Sequence, residues 1–204
     1  MKERMMDDNK KMKNVDMVMR LISTFPDGRR QLVTDMFEDI GEEYFTAPAS
    51  SKRQFHNAFP GGLCDHSLTV AMTLKRLQKD LCPDRWKNHQ LAFVGLFHDL
   101  GKIGVDDKPR YIINTDKWQQ DKWGKMYDIN PDMPHMTIDD ATLYTLQKYG
   151  IKLTPEEFVA IKLADGQYVS ENKDYAMREP VLGLLLHWAD RYCCEEEKMR
   201  AMQK

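Results

Sequence analysis

The sequence predicts an all-α fold with one hydrophobic core. Apolar residues recur at helical spacing through most of the chain, and recognisable helix caps precede several of these stretches. No segment in which apolar and polar residues alternate is longer than three or four residues, which argues against a sheet. The length of 204 residues suits one sizeable core. We therefore predict a flexible N-terminal arm over residues 1–14, rich in Lys, Asp, Glu and Met, and a single domain over residues 15–204.

The first half of the chain predicts four helices, and the spacing of their apolar residues places them at 15–25, 27–40, 63–81 and 86–100. Asp27 is the predicted N-cap of the second helix. Residues 44–60 are predicted to be irregular, because Pro48 and Pro60 interrupt regular structure there. Pro83 ends the third helix, since proline cannot continue a helical hydrogen-bond ladder.

The second half predicts a long connection and three further helices. Residues 103–134 contain prolines, glycines and several aromatic residues, and a connection of this length is either functional or ordered by its own aromatic side chains. Thr137 and Thr154 begin Thr-x-x-Asp and Thr-Pro-x-Glu capping sequences, which start the next two helices. The last helix, 179–202, is apolar up to Tyr192 and charged after it. We expect its C-terminal end to leave the core.

Composition excludes several classes of function. The 30 basic and 32 acidic residues are interspersed and give a net charge of −2, so no overall field favours nucleic acid or an anionic membrane. No apolar run approaches the roughly 20 residues of a membrane span, and the N-terminus is too polar for a signal peptide. The four cysteines form no C-x-x-C pair, and the simplest expectation is a reduced, cytoplasmic protein.

The chain offers a small set of residues that suit a metal site. His98 and Asp99 stand together where an apolar helix ends, and Gly101 suits the left-handed residue that closes a helix. A lone His-Asp pair is more often structural, but metal sites in all-α domains combine side chains from separate helices. His66 lies near the start of helix 63–81, and Asp190 ends an apolar run where a carboxylate needs a cation or donors. Two imidazoles and two carboxylates suit one divalent ion of Mn, Fe, Co, Ni, Zn or Mg.

The order of His66, His98-Asp99 and Asp190 resembles the H…HD…D signature of the HD-domain metal-dependent phosphohydrolases. The segments 48–63, 97–102 and 186–190 are similar to the HD domain of YhaM-type 3′–5′ exoribonucleases, and the likeness covers roughly residues 44–197. The resemblance implies an HD-domain helical bundle in which these four residues bind one divalent metal ion. It further implies that Asp99 orients the attacking water and that Lys102 contacts substrate phosphate, whereas the dipole of a helix end also favours a solvated lysine there.

The chain departs from this family where many members add two histidines and bind a second metal. Ile138 and Ala164 occupy those two positions when the segments are aligned without gaps. His135 replaces the first of these ligands only if the helix start shifts. The departure favours a site with one metal, which in the family is typical of nucleotidases and nucleoside-triphosphate phosphohydrolases.

Other residues are candidates for substrate binding, and they lie in two loops. Lys52 and Arg53 are predicted phosphate contacts or solvated loop charges. His56 faces the metal pocket or packs the loop. The region of the lost ligand supplies three candidates for contacts with a base or sugar, namely Asp165, Gln167 and Tyr168. Among the other residues, His187 is expected to pack or to support a ligand, and Trp118 and Trp123 are expected to pack the long connection rather than to stack on bases.

These observations predict a metal-dependent phosphohydrolase that uses activated water on a phosphate ester or anhydride of a small nucleotide or related metabolite. The predicted partner is a small phosphorylated substrate, with no membrane. One alternative is a 3′–5′ exonuclease or phosphodiesterase on single-stranded nucleic acid, which the near-neutral charge disfavours. Another is a nucleotide-binding protein with little or no turnover, which the missing second pair of histidines favours.

Overall fold

A computed structural model of the chain describes residues 6–202, and this part is mostly helical, as the sequence predicts. The described residues contain eight α-helices, which are α1 (Asp8–Ile22), α2 (Asp27–Thr46), α3 (Gly62–Leu81), α4 (Asn88–Phe97), α5 (Lys117–Trp123), α6 (Ile138–Lys148), α7 (Pro155–Lys162) and α8 (Val181–Met202). Within residues 6–202, no helix has the length and apolar character needed to span a lipid bilayer.

Helix α3 lies at the centre and packs against both α4 and α8. The contact with α4 is close because Gly95 has no side chain: a Cβ atom there would lie 2.5 Å from the Cα of Ala71. Helix α4 is buried on all sides, with Leu91, Phe93 and Phe97 inaccessible to solvent. The close crossing brings the C-terminal end of α4 next to the N-terminal half of α3, and this juncture positions the site.

The long connection between α4 and α6 is ordered and contains small strands. A 3₁₀ turn (Leu100–Ile103) leads into a hairpin of β1 (Gly104–Val105) and β2 (Lys108–Pro109), and β3 (Tyr111–Ile113) pairs with β4 (Tyr127–Ile129) around α5. Aromatic contacts order the segment: the rings of Tyr111 and Tyr127 lie 6.2 Å apart, and those of Trp118 and Trp123 lie 4.7 Å apart. Strands of two or three residues are too short to produce a recognisable alternation in the sequence.

The N-terminal helices differ from their predicted bounds. Residues 1–5 of the predicted arm lie outside the described part of the chain, and α1 begins at Asp8 rather than at residue 15. This earlier start is held by Asp65 of α3, whose carboxylate accepts hydrogen bonds from Lys10 at 2.7 Å and Asn14 at 3.0 Å. Helix α2 continues to Thr46, beyond the predicted residue 40.

The predicted caps of α6 and α7 are confirmed, whereas that of α2 is wrong. The hydroxyl of Thr137 accepts the backbone N–H of Asp140 at 3.1 Å, and Thr154 and Glu157 form a complete capping box. Asp27 is instead the first helical residue of α2 and makes no capping bond, because its carboxylate pairs with Arg30 at 2.6 Å.

Glu157 also joins α7 to α2 through a buried ion pair. Its carboxylate, with a side chain 1% exposed, accepts two hydrogen bonds from the Arg29 guanidinium at 2.7 and 2.9 Å. Arg29 donates a further bond to the carbonyl of Lys152 and lies 4.4 Å from the ring centroid of Phe93. The pair therefore joins α2 to α7 beside Phe93 of the core.

Helix α8 leaves the core at its C-terminal end, where Met199, Arg200 and Met202 are exposed, but it does so later than the predicted point after Tyr192. Cys193, Cys194 and Glu197 are buried, although the sequence around them is strongly charged. Glu195 forms ion pairs with both Arg191 and Lys198. Glu197 instead points toward α3 and contacts His66. The composition of this part of α8 therefore does not show that one of its faces is buried.

Candidate metal centre

The four predicted ligands meet where the end of α4 lies against α3 and α8. The Nε2 atom of His66 lies 2.9 Å from Oδ1 of Asp190 and 3.6 Å from Oδ2 of Asp99. The Nε2 atom of His98 lies 3.4 Å from the same oxygen of Asp99 and 3.7 Å from Oδ1 of Asp190. Donor atoms of His66, His98 and Asp190 thus all lie within 4.8 Å of one another, and the carboxylate of Asp99 lies beside both imidazoles.

Adjacent residues of an α-helix point about 100° apart, so a His-Asp pair within a helix does not converge. Here α4 ends at Phe97, His98 is its C-cap, and Asp99 adopts φ −105° and ψ 13° before the chain enters the 3₁₀ turn. The change of backbone conformation lets both side chains face α3. The sequence prediction that a helix end allows this convergence is confirmed.

Gly101 does not have the left-handed conformation predicted for it; the first glycine with positive φ after α4 is Gly104, at 106°. The reason for glycine at position 101 is space, because a Cβ atom would lie 2.3 Å from the carbonyl oxygen of Ile138. The backbone N–H of Gly101 donates to the hydroxyl of Thr142 at 2.8 Å. The turn after the His-Asp pair thus packs directly against α6.

Both imidazole rings are oriented by a bond at their other nitrogen. Nδ1 of His98 lies 2.9 Å from the carbonyl oxygen of Gly95, and a carbonyl only accepts, so the Nδ1–H donates and Nε2 keeps its lone pair toward the cluster. Nδ1 of His66 lies 3.1 and 3.3 Å from the two carboxylate oxygens of Glu197. This arrangement, in which a carboxylate or carbonyl holds the far nitrogen, is typical of metal-ligating histidines.

The cluster fits a divalent cation on two observations. Donors about 2.1 Å from one ion at angles of 90–110° lie about 3.0–3.4 Å apart, and the four measured separations run from 2.9 to 3.7 Å. In addition, Nε2 of His98 is buried and has no hydrogen-bond partner among the described residues. A buried nitrogen without a partner is costly, and a cation bound there would use its lone pair.

Electrostatics within the cluster favour positive charge. Burial lowers the pKa of His66, but hydrogen bonds to Asp190 and Glu197 outweigh this effect and raise that pKa to about 10. Burial opposes ionisation of Asp190, yet its hydrogen bond with His66 keeps the pKa of this carboxyl well below the usual range. The chain therefore holds its carboxylates ionised, and a metal cation would compete with the proton on His66.

Lys102 and His56 adjoin the cluster. The ammonium of Lys102 lies 2.5 Å from Oδ2 of Asp99 and 3.4 Å from Nε2 of His56. Burial would lower the pKa of Lys102, but the charge of Asp99 raises it, so the ammonium stays protonated. Burial and the neighbouring Lys102 lower the pKa of His56 to about 2, and its ring centroid lies 4.6 Å from that of His66. A neutral imidazole and a buried cation thus border one side of the cluster.

The chain has no significant match among protein-family models, curated proteins or solved structures. The interpretation of this centre therefore depends on its own geometry and on the residues that form it.

The sequence reasoning missed Glu197 and Cys194. Cys194 and Glu197 lie on the face of α8 that carries Asp190, because they follow it by four and seven residues, which are one and two helical turns. The thiol of Cys194 lies 3.5 Å from Oδ1 of Asp190, and with His56 and His66 it forms a second group of donor atoms that lie within 4.8 Å of one another. The i, i+4, i+7 spacing is the signal that finds these residues.

The three predicted substrate-binding residues in the loop after α7, which are Asp165, Gln167 and Tyr168, differ from one another in their surroundings. Asp165 is exposed as a residue, but its carboxylate lies near enough to the cluster that partial loss of hydration and the charge of Asp99 raise its pKa. The side chain of Gln167 accepts the backbone N–H of Met177 at 2.8 Å, and Tyr168 is 84% exposed. His187 packs against this loop, with Nδ1 2.9 Å from the carbonyl oxygen of Ala164.

The remaining predicted residues lie around the loop before α3 and the start of α6. Lys52 is 5.6 Å from the ring centroid of Phe55, and the guanidinium of Arg53 is 3.3 Å from the sulfur of Met126. His135 is exposed. Next to Ile138, the sequence reasoning missed Asp139, a buried carboxylate whose pKa burial and Asp165 raise to about 8.

Replacement of Glu197 by glutamine is expected to lower metal affinity about 10- to 100-fold, the usual effect of removing the partner of a ligating histidine. An amide has one acceptor instead of two and carries no charge, so it holds the Nδ1–H of His66 less strongly. Titration calorimetry with Mn²⁺ measures the change. Glu196→Gln on the same helix is the control, because Glu196 pairs only loosely with Arg200, at 3.6 Å. Equal affinities for the two variants would contradict the assigned role of Glu197.

Proposed function

We propose that this chain is a metal-dependent phosphohydrolase of the HD-domain type, with a small nucleotide or related phosphate ester or anhydride as its substrate. The observation that carries the proposal is the close grouping of His66, His98 and Asp190, with the carboxylate of Asp99 and the buried ammonium of Lys102 beside it. The order of these residues in the sequence supports the family assignment. Their geometry supports binding of one cation of the Mn, Fe, Co, Ni, Zn or Mg class.

The residues of the chain have separate tasks in this proposal. A bound divalent cation supplies Lewis-acid polarisation of a phosphoryl oxygen and a lowered pKa for water. Lys102 attracts the substrate phosphate and offsets the negative charge that develops on it during in-line attack. Asp99, held ionised by Lys102, accepts a hydrogen bond from the attacking water and orients it. The neutral Nε2 of His56 accepts a hydrogen bond from Lys102 and so positions the ammonium.

The test is to remove metal from the protein with a chelator and to reload separate samples with each of the six metals. Each sample is incubated with a panel of nucleotides, dinucleotides and sugar nucleotides, and products are identified by mass spectrometry. We expect phosphate release from a small nucleotide in at least one metal-loaded sample and none in the metal-free sample. Equal turnover in the metal-free sample would contradict the proposal. Tight nucleotide binding without product in any sample would favour a binding protein instead.

One observation favours a second candidate, hydrolysis of single-stranded nucleic acid. Trp118 and Trp123 of α5 are 58% and 51% exposed, and Lys117 and Lys122 precede them directly in the sequence. Exposed aromatic rings beside cations are typical of surfaces on which bases stack. Single-stranded RNA in the same panel, at low and high salt, distinguishes the two functions, since polymer binding weakens steeply with salt.

A further inference from the structure

A cavity of about 240 Å³ opens on the side of Lys102 and extends under the β3–β4 hairpin. Lys102 is common to the cavity and the metal centre, because its ammonium bonds to Asp99 at 2.5 Å. A phosphate held at the centre would therefore place the organic part of its molecule at the entrance of this cavity.

The walls of the cavity suit a flat aromatic group. Tyr111, Ile113 and Tyr127 line it from the hairpin, and Pro48 and Met126 line it from other segments. Tyr111 pairs with Ile129 and Ile113 pairs with Tyr127, so the two tyrosines are diagonal neighbours on the same face of the hairpin. Their ring centroids lie 6.2 Å apart at an angle of 54°, which presents aromatic surface in two directions. Nucleobases stack on such side chains largely without regard to their sequence.

Size and charge narrow the class of ligand. Sites for drug-sized molecules begin at about 300 Å³, so a cavity of about 240 Å³ suits one base with its sugar. The buried ammonium of Lys102 at one wall complements a phosphate monoester. Glu43 lines the cavity as well and offers a carboxylate to amino groups of a base or hydroxyl groups of a sugar.

We infer that this cavity binds the nucleoside part of a nucleoside monophosphate, with Tyr111 and Tyr127 as the residues that recognise the base. The inference rests on the proposed function for the position of the phosphate. It assigns to the β3–β4 hairpin the selection of nucleotides over other phosphate esters.

The experiment measures binding and needs no turnover. Titration calorimetry compares nucleoside monophosphates, ribose 5-phosphate and inorganic phosphate on the purified protein, before and after chelator treatment. We expect nucleoside monophosphates to bind at least about tenfold more tightly than ribose 5-phosphate, because a stacked base adds affinity. Equal affinity for all three ligands would overturn the inference.

Matched variants locate the contribution of the hairpin. Ile113→Glu places a negative charge in the cavity wall, and the fold tolerates it because Ile113 is 73% exposed. Ile112→Glu places the same charge one residue away on the opposite face of β3, where it does not line the cavity. We expect the first variant to weaken nucleoside monophosphate binding about tenfold and the second to change it less than about twofold. Equal effects of the two variants would overturn the inference.

Tyr111 supplies the second pair of variants. Tyr111→Phe keeps the ring and is expected to retain affinity, whereas Tyr111→Ala removes the stacking surface and is expected to lower affinity about tenfold. Retained affinity in Tyr111→Ala would overturn the inference. A protein that binds nucleotides through Tyr111 but hydrolyses none fails only the proposed function. A protein that hydrolyses nucleotides with unchanged KM in Tyr111→Ala fails only this inference.

Discussion

Replacement of His98 by alanine is expected to lower metal affinity by more than about 100-fold, because loss of a ligand costs more than loss of its supporting partner. Nε2 of His98 is the atom of this cluster that has no hydrogen-bond partner among the described residues, and a bound cation would use its lone pair. Under the proposed function, hydrolysis is lost together with the metal. Equilibrium dialysis followed by elemental mass spectrometry measures the bound metal, and circular dichroism shows that the helices persist.

His135→Ala is the matched control for this variant. His135 is exposed, and it is the histidine that sequence reasoning considered as a ligand of a second metal. We expect this variant to bind as much metal as the wild type. If both variants bind the wild-type amount, the cluster is not the metal site. If His135→Ala alone loses half of the bound metal, the centre contains two metals rather than one.

Replacement of Arg29 by methionine is expected to lower the free energy of unfolding by about 3–5 kcal/mol, the range found when one member of a buried ion pair is removed. Methionine occupies a similar volume but leaves the carboxylate of Glu157 buried without its cation. Chemical denaturation near pH 7 measures the change. Arg30→Met is the control, because Arg30 pairs with Asp27 at the surface, where such a pair contributes about 0–1 kcal/mol. Equal losses in the two variants would contradict this account.

The destabilisation of Arg29→Met depends on pH, and the pKa of Glu157 fixes the direction. Burial raises this pKa, but the bonds from Arg29 and Thr154 outweigh burial and bring it below the ordinary value of 4.5. A carboxyl with a lowered folded-state pKa stabilises the protein above its unfolded-state pKa, and this contribution is lost as the pH falls through the folded-state value. In the variant, burial without the cation raises the pKa of Glu157, so the difference in stability between wild type and variant is expected to be full near neutral pH and to shrink as the pH falls toward and below the ordinary value of 4.5.

Three of the four candidate metal ligands have a local signal. His98 and Asp99 adjoin at a helix end and Asp190 ends an apolar run, whereas His66 was connected to them by the order of the H…HD…D signature. The spacing from Asp190 places Glu197 on the same face of α8, but its burial and its role follow from His66, which lies 131 positions away and which no local pattern reveals. The same reason explains the early start of α1, which is held by contacts with Asp65 of α3. Sequence patterns report local geometry well and long-range packing poorly.

The hairpin and Gly101 show a second limit of prediction from the sequence. Strands of two or three residues give no alternation that a pattern can detect, so β3 and β4 were predicted only as part of a connection. Gly101 was assigned a conformational role, but its position is determined by the approach of Ile138 from a distant helix. Glycine in a sequence indicates a constraint without indicating whether that constraint is on backbone angle or on space.

The pairing of His66 with Asp190 spans 124 positions, and this separation has a consequence for how the protein is made. During synthesis, the segment from α3 to the end of α4 emerges before α8 and brings His66, His98 and Asp99, while Asp190 is not yet attached to the growing chain. Contacts between such distant segments form late in folding, because the intervening chain must first be ordered. If the cluster binds a metal as proposed, its set of ligands is complete only after α8 has docked, and the rate at which a newly made chain acquires metal would report the completion of its fold.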